Sequence, residues 1–177
     1  MNLLSLNPAV AATLIRRKQV ARKVAGTSRF RQQLDTLARQ LGRESEEMAR
    51  EALQDLEEIV TVQSPAFAAA FDYGLGPLHT RAWTVNADDA ALARLKQLNE
   101  SHALVYLPTH RSYADAFILS RLLRAHGMKR NHILGGNNLG FWPLGTIIRR
   151  AGGILIRRSF QDDEVYKLVV REYLAWL

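Results

Sequence analysis

The apolar positions of the first hundred residues follow a helical period. In "RFRQQLDTLARQLG", Phe30, Leu34, Leu37 and Leu41 recur three or four positions apart, the spacing that lines one side of an α-helix. Ser28 stands where an N-cap belongs and Gly42 where a helix stops. The next segment, "RESEEMAREALQDLEEIVTV", puts Met48, Ala52, Leu56 and Ile59 on one stripe, with its acids early, where they complement the positive end of the helix dipole. The pair predicts a hairpin of two helices. A third helix is expected after Pro65, through "AFAAAFDYGL" to the breaker region Gly74 to Pro77, and a fourth in "DDAALARLKQLNE".

The pattern changes near Ala103. "ALVYLP" is a short, continuous apolar run stopped by proline, which reads as a buried strand, and "AFILSRLLRAHG" follows as a helix closed by Gly127. "HILGG" and "GILI" are expected to be two further strands, "LGFWPLGTIIRRAG" helical in part, and "DDEVYKLVVREYLAWL" a last helix. Strand and helix alternate, so the fold class expected is α/β, an N-terminal helical region over 1–100 followed by an incomplete, mostly parallel sheet with crossover helices over 101–177. Only three strands precede the final helix, whereas sheets commonly hold about five or six. The rest of the sheet is therefore expected to lie outside these 177 residues.

Composition narrows the chemistry. Hydrophobic residues at 47% and charged residues at 23% are those of a chain that folds around a core. Cysteine is absent, which excludes a disulfide framework, a thiolate metal site and a cysteine nucleophile. The net charge of +7 favours partners that carry phosphate, whether nucleic acid, anionic lipid or phosphorylated metabolites. In "MNLLSLNPAVAATLIRRKQVARK" the apolar residues precede the cations, the reverse of a secretory signal, and no stretch reaches the roughly 20 apolar residues that cross a bilayer. Leu3, Leu4, Leu6, Leu14 and Ile15 beside Arg16, Arg17 and Lys18 suit either an interfacial anchor or a helix packed on its own domain.

The residues with chemistry gather after predicted strands, where α/β sheets place their sites: His110, Gly135, Gly136, Arg157 and Arg158. In "VYLPTHRSYADAF", Ser112 is a good N-cap and Asp115 sits three residues on, where a capping-box acid belongs. Residues five apart on one helix point about 140° away from each other, so His110 and Asp115 meet only if His110 lies in the loop before the helix. Two readings stay open on these residues. Asp115 caps a helix and His110 is a loop histidine, or Asp115 orients the imidazole so that its second nitrogen can take a hydroxyl proton. "GILIRRSF" ends a strand in two guanidinium groups, either phosphate ligands or a solvated strand end, and neighbouring strand residues face opposite ways, so the two do not serve one phosphate. "GGNNLGFW" brings backbone amides within reach of an anion, with Asn137 or Asn138 placed to cap the next helix; Phe141, Trp142 and Leu144 are either core or an acyl- or lipid-facing surface.

Together "LPTHRSYADAFILS", "GGNNLGFWPLG" and "RRAGGILIRRSF" resemble successive blocks of the glycerol-3-phosphate acyltransferases, the large membrane-associated bacterial type and its mitochondrial relatives. His110 and Asp115 satisfy the family's H-x-x-x-x-D signature; Ile154 and Leu155 stand where the family often has two phenylalanines, and Gly153 where alanine is usual. The resemblance covers Val105 to Leu177, and the family's third and fourth blocks, an F-P-E-G-type segment and a later proline-containing one, do not follow. It implies acyl transfer from acyl-CoA or acyl carrier protein to the sn-1 hydroxyl of glycerol 3-phosphate, without an acyl-enzyme and with no cofactor beyond the acyl donor. His110 would be the base, Asp115 its orienting acid and Arg158 the leading phosphate ligand, with Arg157, Arg111, Ser112 and Gly136 as further substrate-binding positions. It also implies peripheral attachment to an anionic membrane surface at the cytoplasmic face. The rivals are a related acyltransferase for dihydroxyacetone phosphate or a lysophospholipid, and a non-enzymatic basic module; no nucleic-acid motif accompanies the charge, and nucleic acid is not expected as a partner.

Overall fold

The computed structural model describes the chain except residues 1–7, 66, 68, 70–72, 74–83, 110, 113 and 114. Seven α-helices and two strands are formed among the described residues: α1 (Pro8–Ala25), α2 (Ser28–Leu41), α3 (Ser45–Ile59), α4 (Asp89–Leu98), α5 (Asp115–Ala125), β1 (Ile133–Gly136), α6 (Leu144–Ala151), β2 (Gly153–Ile156) and α7 (Glu164–Trp176). β1 and β2 pair in a small parallel sheet, so the fold is mixed α/β with a helical N-terminal region. The chain divides into two compact units: residues 1–63 with 134–177, and residues 64–133.

The first unit is built around α3. Its predicted stripe, Met48, Ala52, Leu56 and Ile59, is wholly buried. This helix packs against α1, α2, α7 and β2, and so receives apolar residues from each: Ala21 and Val24, Phe30 and Leu34, Val165 and Val169, and Ile154. β2 is buried along Gly153, Ile154 and Leu155, which is why its sequence is a continuous apolar run rather than an alternating one.

Local chemistry sets the element ends. Gly42 takes φ 62°, and its N–H closes α2 on Ala38 O. The cap at the other end of α2 is Thr27 and not Ser28, since the Thr27 hydroxyl accepts from Phe30 N at 3.3 Å and Ser28 already lies within the helix. Neither Asn137 nor Asn138 caps a helix: Asn137–Leu139 forms a single 3₁₀ turn, and α6 starts after Pro143 without a side-chain cap. A β-carbon on Gly145 would collide with the backbone of Gly140, so this tight turn around "GFWPLG" admits only glycine there.

The far end of α3 is held by hydrogen bonds from distant residues. Arg17 donates to Val60 O and Glu57 O, both at 2.8 Å, and Arg149 to Glu58 O at 2.7 Å. The next residue out, Thr61, donates its N–H to the Tyr173 hydroxyl oxygen at 3.0 Å and its own hydroxyl to Arg149 O at 2.5 Å. Burial pushes the Tyr173 hydroxyl above the ordinary tyrosine range. α7 is tied to α2 by Glu172, a buried carboxylate that pairs with Arg29 at 2.8 Å and with Arg171 at 3.3 Å.

The second unit carries α4 and α5. Asp88 caps α4 on Ala90 N and Ala91 N, and the end of α5 turns at Gly127 (φ 71°) so that Met128 N reaches Leu123 O at 3.0 Å. Leu92, Leu123 and Met128 are its buried apolar residues. One sequence expectation fails here. "ALVYLP" forms no strand, and Val105 and Leu107 stand 82% and 90% exposed. An apolar run becomes a strand only where a neighbouring edge takes up its N–H and C=O groups, and among the described residues the sheet consists of β1 and β2 alone. The helix expected after Pro65 lies largely outside the described residues.

Leu56 is fully buried where α3 meets its neighbours, so Leu56→Ala is expected to lower unfolding free energy by about 3 kcal/mol in urea titration, the usual cost of such a cavity.

Candidate functional site

Gly136 is the last residue of β1, and Arg157 and Arg158 are the first two after β2. Because the strands run parallel, these residues share the carboxyl end of the pair, the position at which open α/β sheets hold their ligands. The two arginines part company there, as strand alternation requires.

Arg157 turns toward α3. Its Nη2 meets Asp55 Oδ1 and Glu58 Oε2, each at 2.6 Å, its Nη1 meets Asp163 Oδ2 at 3.2 Å, and its guanidinium lies 4.2 Å from the Tyr166 ring centre. Its backbone N–H donates to the Tyr166 hydroxyl at 3.0 Å, and Asp163 also caps α7 by accepting from Tyr166 N at 2.9 Å. Burial works against the Arg157 charge, but Glu58 and Asp55 outweigh it and hold its pKa above the ordinary arginine value. Burial pushes Asp55 up, against the lowering pull of Arg157, and Asp55 Oδ2 is buried with no hydrogen-bond partner among the described residues. A guanidinium so enclosed fixes the end of β2 to α3 and α7.

Arg158 is exposed, and no hydrogen bond or ion pair among the described residues engages it. Its stem lies over Gly136: a β-carbon added there would stand 3.3 Å from Arg158 Cγ and 2.5 Å from Asn138 Oδ1. Glycine at this position therefore leaves the space in which the Arg158 stem and the Asn138 amide sit.

In the second unit, Asp115 opens α5 and its Oδ2 accepts from Arg111 N and Ser112 N, both at 2.8 Å. Two backbone amides on one oxygen fix the carboxylate and complete the reach-back half of a capping box. Arg111 and Ser112 are exposed residues of this turn and contribute their amides to it. His110 lies outside the described residues.

Sequence reading missed the partners of Arg157. A signal was present: Asp55 falls on the register Met48, Ala52, Asp55, Ile59, an acid at a core position of an otherwise apolar stripe, and such a residue needs a buried cation.

Residues 91–175 match the Acyltransferase family. A glycerol-3-phosphate acyltransferase of Shewanella amazonensis is 40% identical over 135 residues, 75% of this chain and 17% of that protein. Another, from Shewanella sp. strain ANA-3, is 39% identical over 136 residues with the same coverage. The chain thus spans 17% of the length of these curated relatives.

The geometry separates two adjacent arginines by experiment. Arg157→Met strands Asp55 without its cation and is expected to cost about 3 kcal/mol in denaturant unfolding, whereas Arg158→Met, on an exposed side chain, should stay within about 0.5 kcal/mol of the parent.

Proposed function

We infer, from the match of residues 91–175 to the Acyltransferase family and the similarity to glycerol-3-phosphate acyltransferases, that this chain forms part of an enzyme transferring a fatty acyl group from acyl-CoA or an acyl carrier protein to the sn-1 hydroxyl of glycerol 3-phosphate, giving lysophosphatidic acid. The observation that carries the reading is Arg158: an exposed guanidinium at the carboxyl end of the parallel strands, engaged by no described residue and lying over a glycine. Such a group offers a phosphate two N–H donors at fixed charge.

The chemistry assigned to the chain's own residues is proton transfer and binding. His110 takes the sn-1 hydroxyl proton as the oxygen attacks the thioester carbonyl; the tetrahedral intermediate then expels the thiolate, and the imidazolium returns the proton to it. Asp115 orients the imidazole, its carboxylate already set by the amides of Arg111 and Ser112. A positioned base of this kind supplies a factor of about 10² to 10⁴ in rate, and binding and oxyanion stabilisation supply the rest. Arg158 anchors the glycerol phosphate, with Gly136 making room for it, while Arg157 serves the site by fixing the strand that carries Arg158.

Attachment to an anionic membrane surface, peripherally and at the cytoplasmic face, belongs to the same reading. Phe141 and Trp142 stand 61% and 84% exposed, the surface alternative of the two open in the sequence, and the net charge is +7. No helix among the described residues is long and apolar enough to cross a membrane.

Steady-state kinetics of the purified protein test the assignment. His110→Ala is expected to lower kcat at least about 100-fold, and turnover at the parent rate would reject it as the base. Arg158→Ala should raise KM for glycerol 3-phosphate about 10-fold or more while KM for the acyl donor stays near the parent value; equal effects on both would reject the phosphate role.

A further inference from the structure

A second cationic site stands apart from Arg158, in the first unit, where α1 and α6 flank the end of α3. Arg17 and Arg149 converge on one oxygen: Glu58 O accepts from Arg149 Nη1 at 2.7 Å and from Arg17 Nη2 at 3.4 Å. Two guanidinium groups this close repel each other, and both are substantially buried. Neither meets a carboxylate within ion-pair distance among the described residues. The nearest acids are committed elsewhere, with the Glu57 carboxylate facing Lys18 at 3.9 Å and that of Glu58 facing Arg157 at 2.6 Å. Carbonyl oxygens at a helix end offset part of the charge through the helix dipole, but only about half an elementary charge, against two full ones. Burial pushes both arginines below their ordinary pKa, and Arg149 lowers Arg17 further, while Glu57 acts in the opposite sense on Arg17 and Glu58 on Arg149 without reversing either shift.

Beside the pair lies a cavity of about 110 Å³ lined by Thr13, Leu14, Arg17, Thr146, Arg149 and Arg150, together with Val62. Since a water molecule's share of liquid is about 30 Å³, this is room for three or four waters, the scale of one tetrahedral oxyanion and far too little for an acyl chain. Its wall holds three arginines, two threonines, Leu14 and Val62 and no acid; apolar atoms, the arginine stems among them, make up most of its surface, and exposed Thr146 marks its open side.

We propose that this cavity binds a phosphate group, carried by a soluble phosphate ester or by a lipid headgroup, with Arg17 and Arg149 as its counter-charges. The bound anion supplies the direct ion-pair partner that neither arginine has among the described residues, and links α1 to α6. This site is separate from the one that Arg158 serves and does not depend on the acyl-transfer reading.

Calorimetric titration with inorganic phosphate at constant ionic strength tests it, on protein carrying Arg158→Ala so that the other phosphate position is silent. One saturable site is expected, with Kd on the order of 1 mM. Substitution of Arg17 or Arg149 removes contacts that hold α3, so the decisive variant is Thr146→Asp, which places a carboxylate at the exposed mouth and leaves those contacts in place. It is expected to weaken phosphate binding at least about 10-fold. Titration of glycerol 3-phosphate and co-sedimentation with phosphatidylglycerol against phosphatidylcholine vesicles then separate the soluble ester from the headgroup, according to which response Thr146→Asp removes. Absence of saturable phosphate binding up to about 20 mM, or binding that Thr146→Asp leaves unchanged, overturns the proposal.

Discussion

The guanidinium of Arg157 is met by three carboxylates and an aromatic face, and the placement of β2 follows from it. β2 has only four residues, too few for its ladder with β1 to fix it alone. Its buried side chains hold it to α3 by apolar contact, which is strong but indifferent to small rotations; the ion-pair cluster adds direction. With Arg157 drawn to one side, the next residue must leave the strand on the other side, and this is what delivers Arg158 to the face of Gly136. Two adjacent residues of one type thus have opposite fates, one enclosed by carboxylates and one presented to solvent.

The same division of labour runs through the first unit. Apolar stripes decide which helices meet, and polar contacts between distant residues decide how they are set. Glu172 between Arg29 and Arg171, Thr61 between Tyr173 and Arg149, and the α3 carbonyls between Arg17 and Arg149 all join segments far apart in the chain. The packing unit accordingly groups 134–177 with 1–63, across the change of sequence style near Ala103.

Much of this was legible from periodicity. The stripe of α3 and the extent of β2 were read from the chain directly, because a period of 3.6 and a bounded apolar run each report on burial. The stop at Gly42 was equally plain, whereas the start of α2 was placed one residue late, since Thr27 and Ser28 are both good caps and only the backbone decides between them. "ALVYLP" misled because apolarity reports a wish for burial and is silent on whether a pairing edge is at hand. Of the candidate site, the opposite facing of Arg157 and Arg158 followed from alternation, but the partners of Arg157 did not, as they come from α3 and from the start of α7, about a hundred and six residues away respectively. The capping role of Asp115 was visible in its spacing from Ser112.

The carbonyls at the end of α3 find donors in Arg17, some forty residues earlier, and in Arg149, some ninety residues later. A ribosome releases the chain from its N-terminus, at about 5 to 20 residues each second, so the three-helix start emerges several seconds before its last fastener exists. Over that interval the apolar side of α3 that will receive β2 and α7 is not yet packed against them. The packing of α1, α2 and α3 is therefore completed only once α6, β2 and α7 have been synthesised.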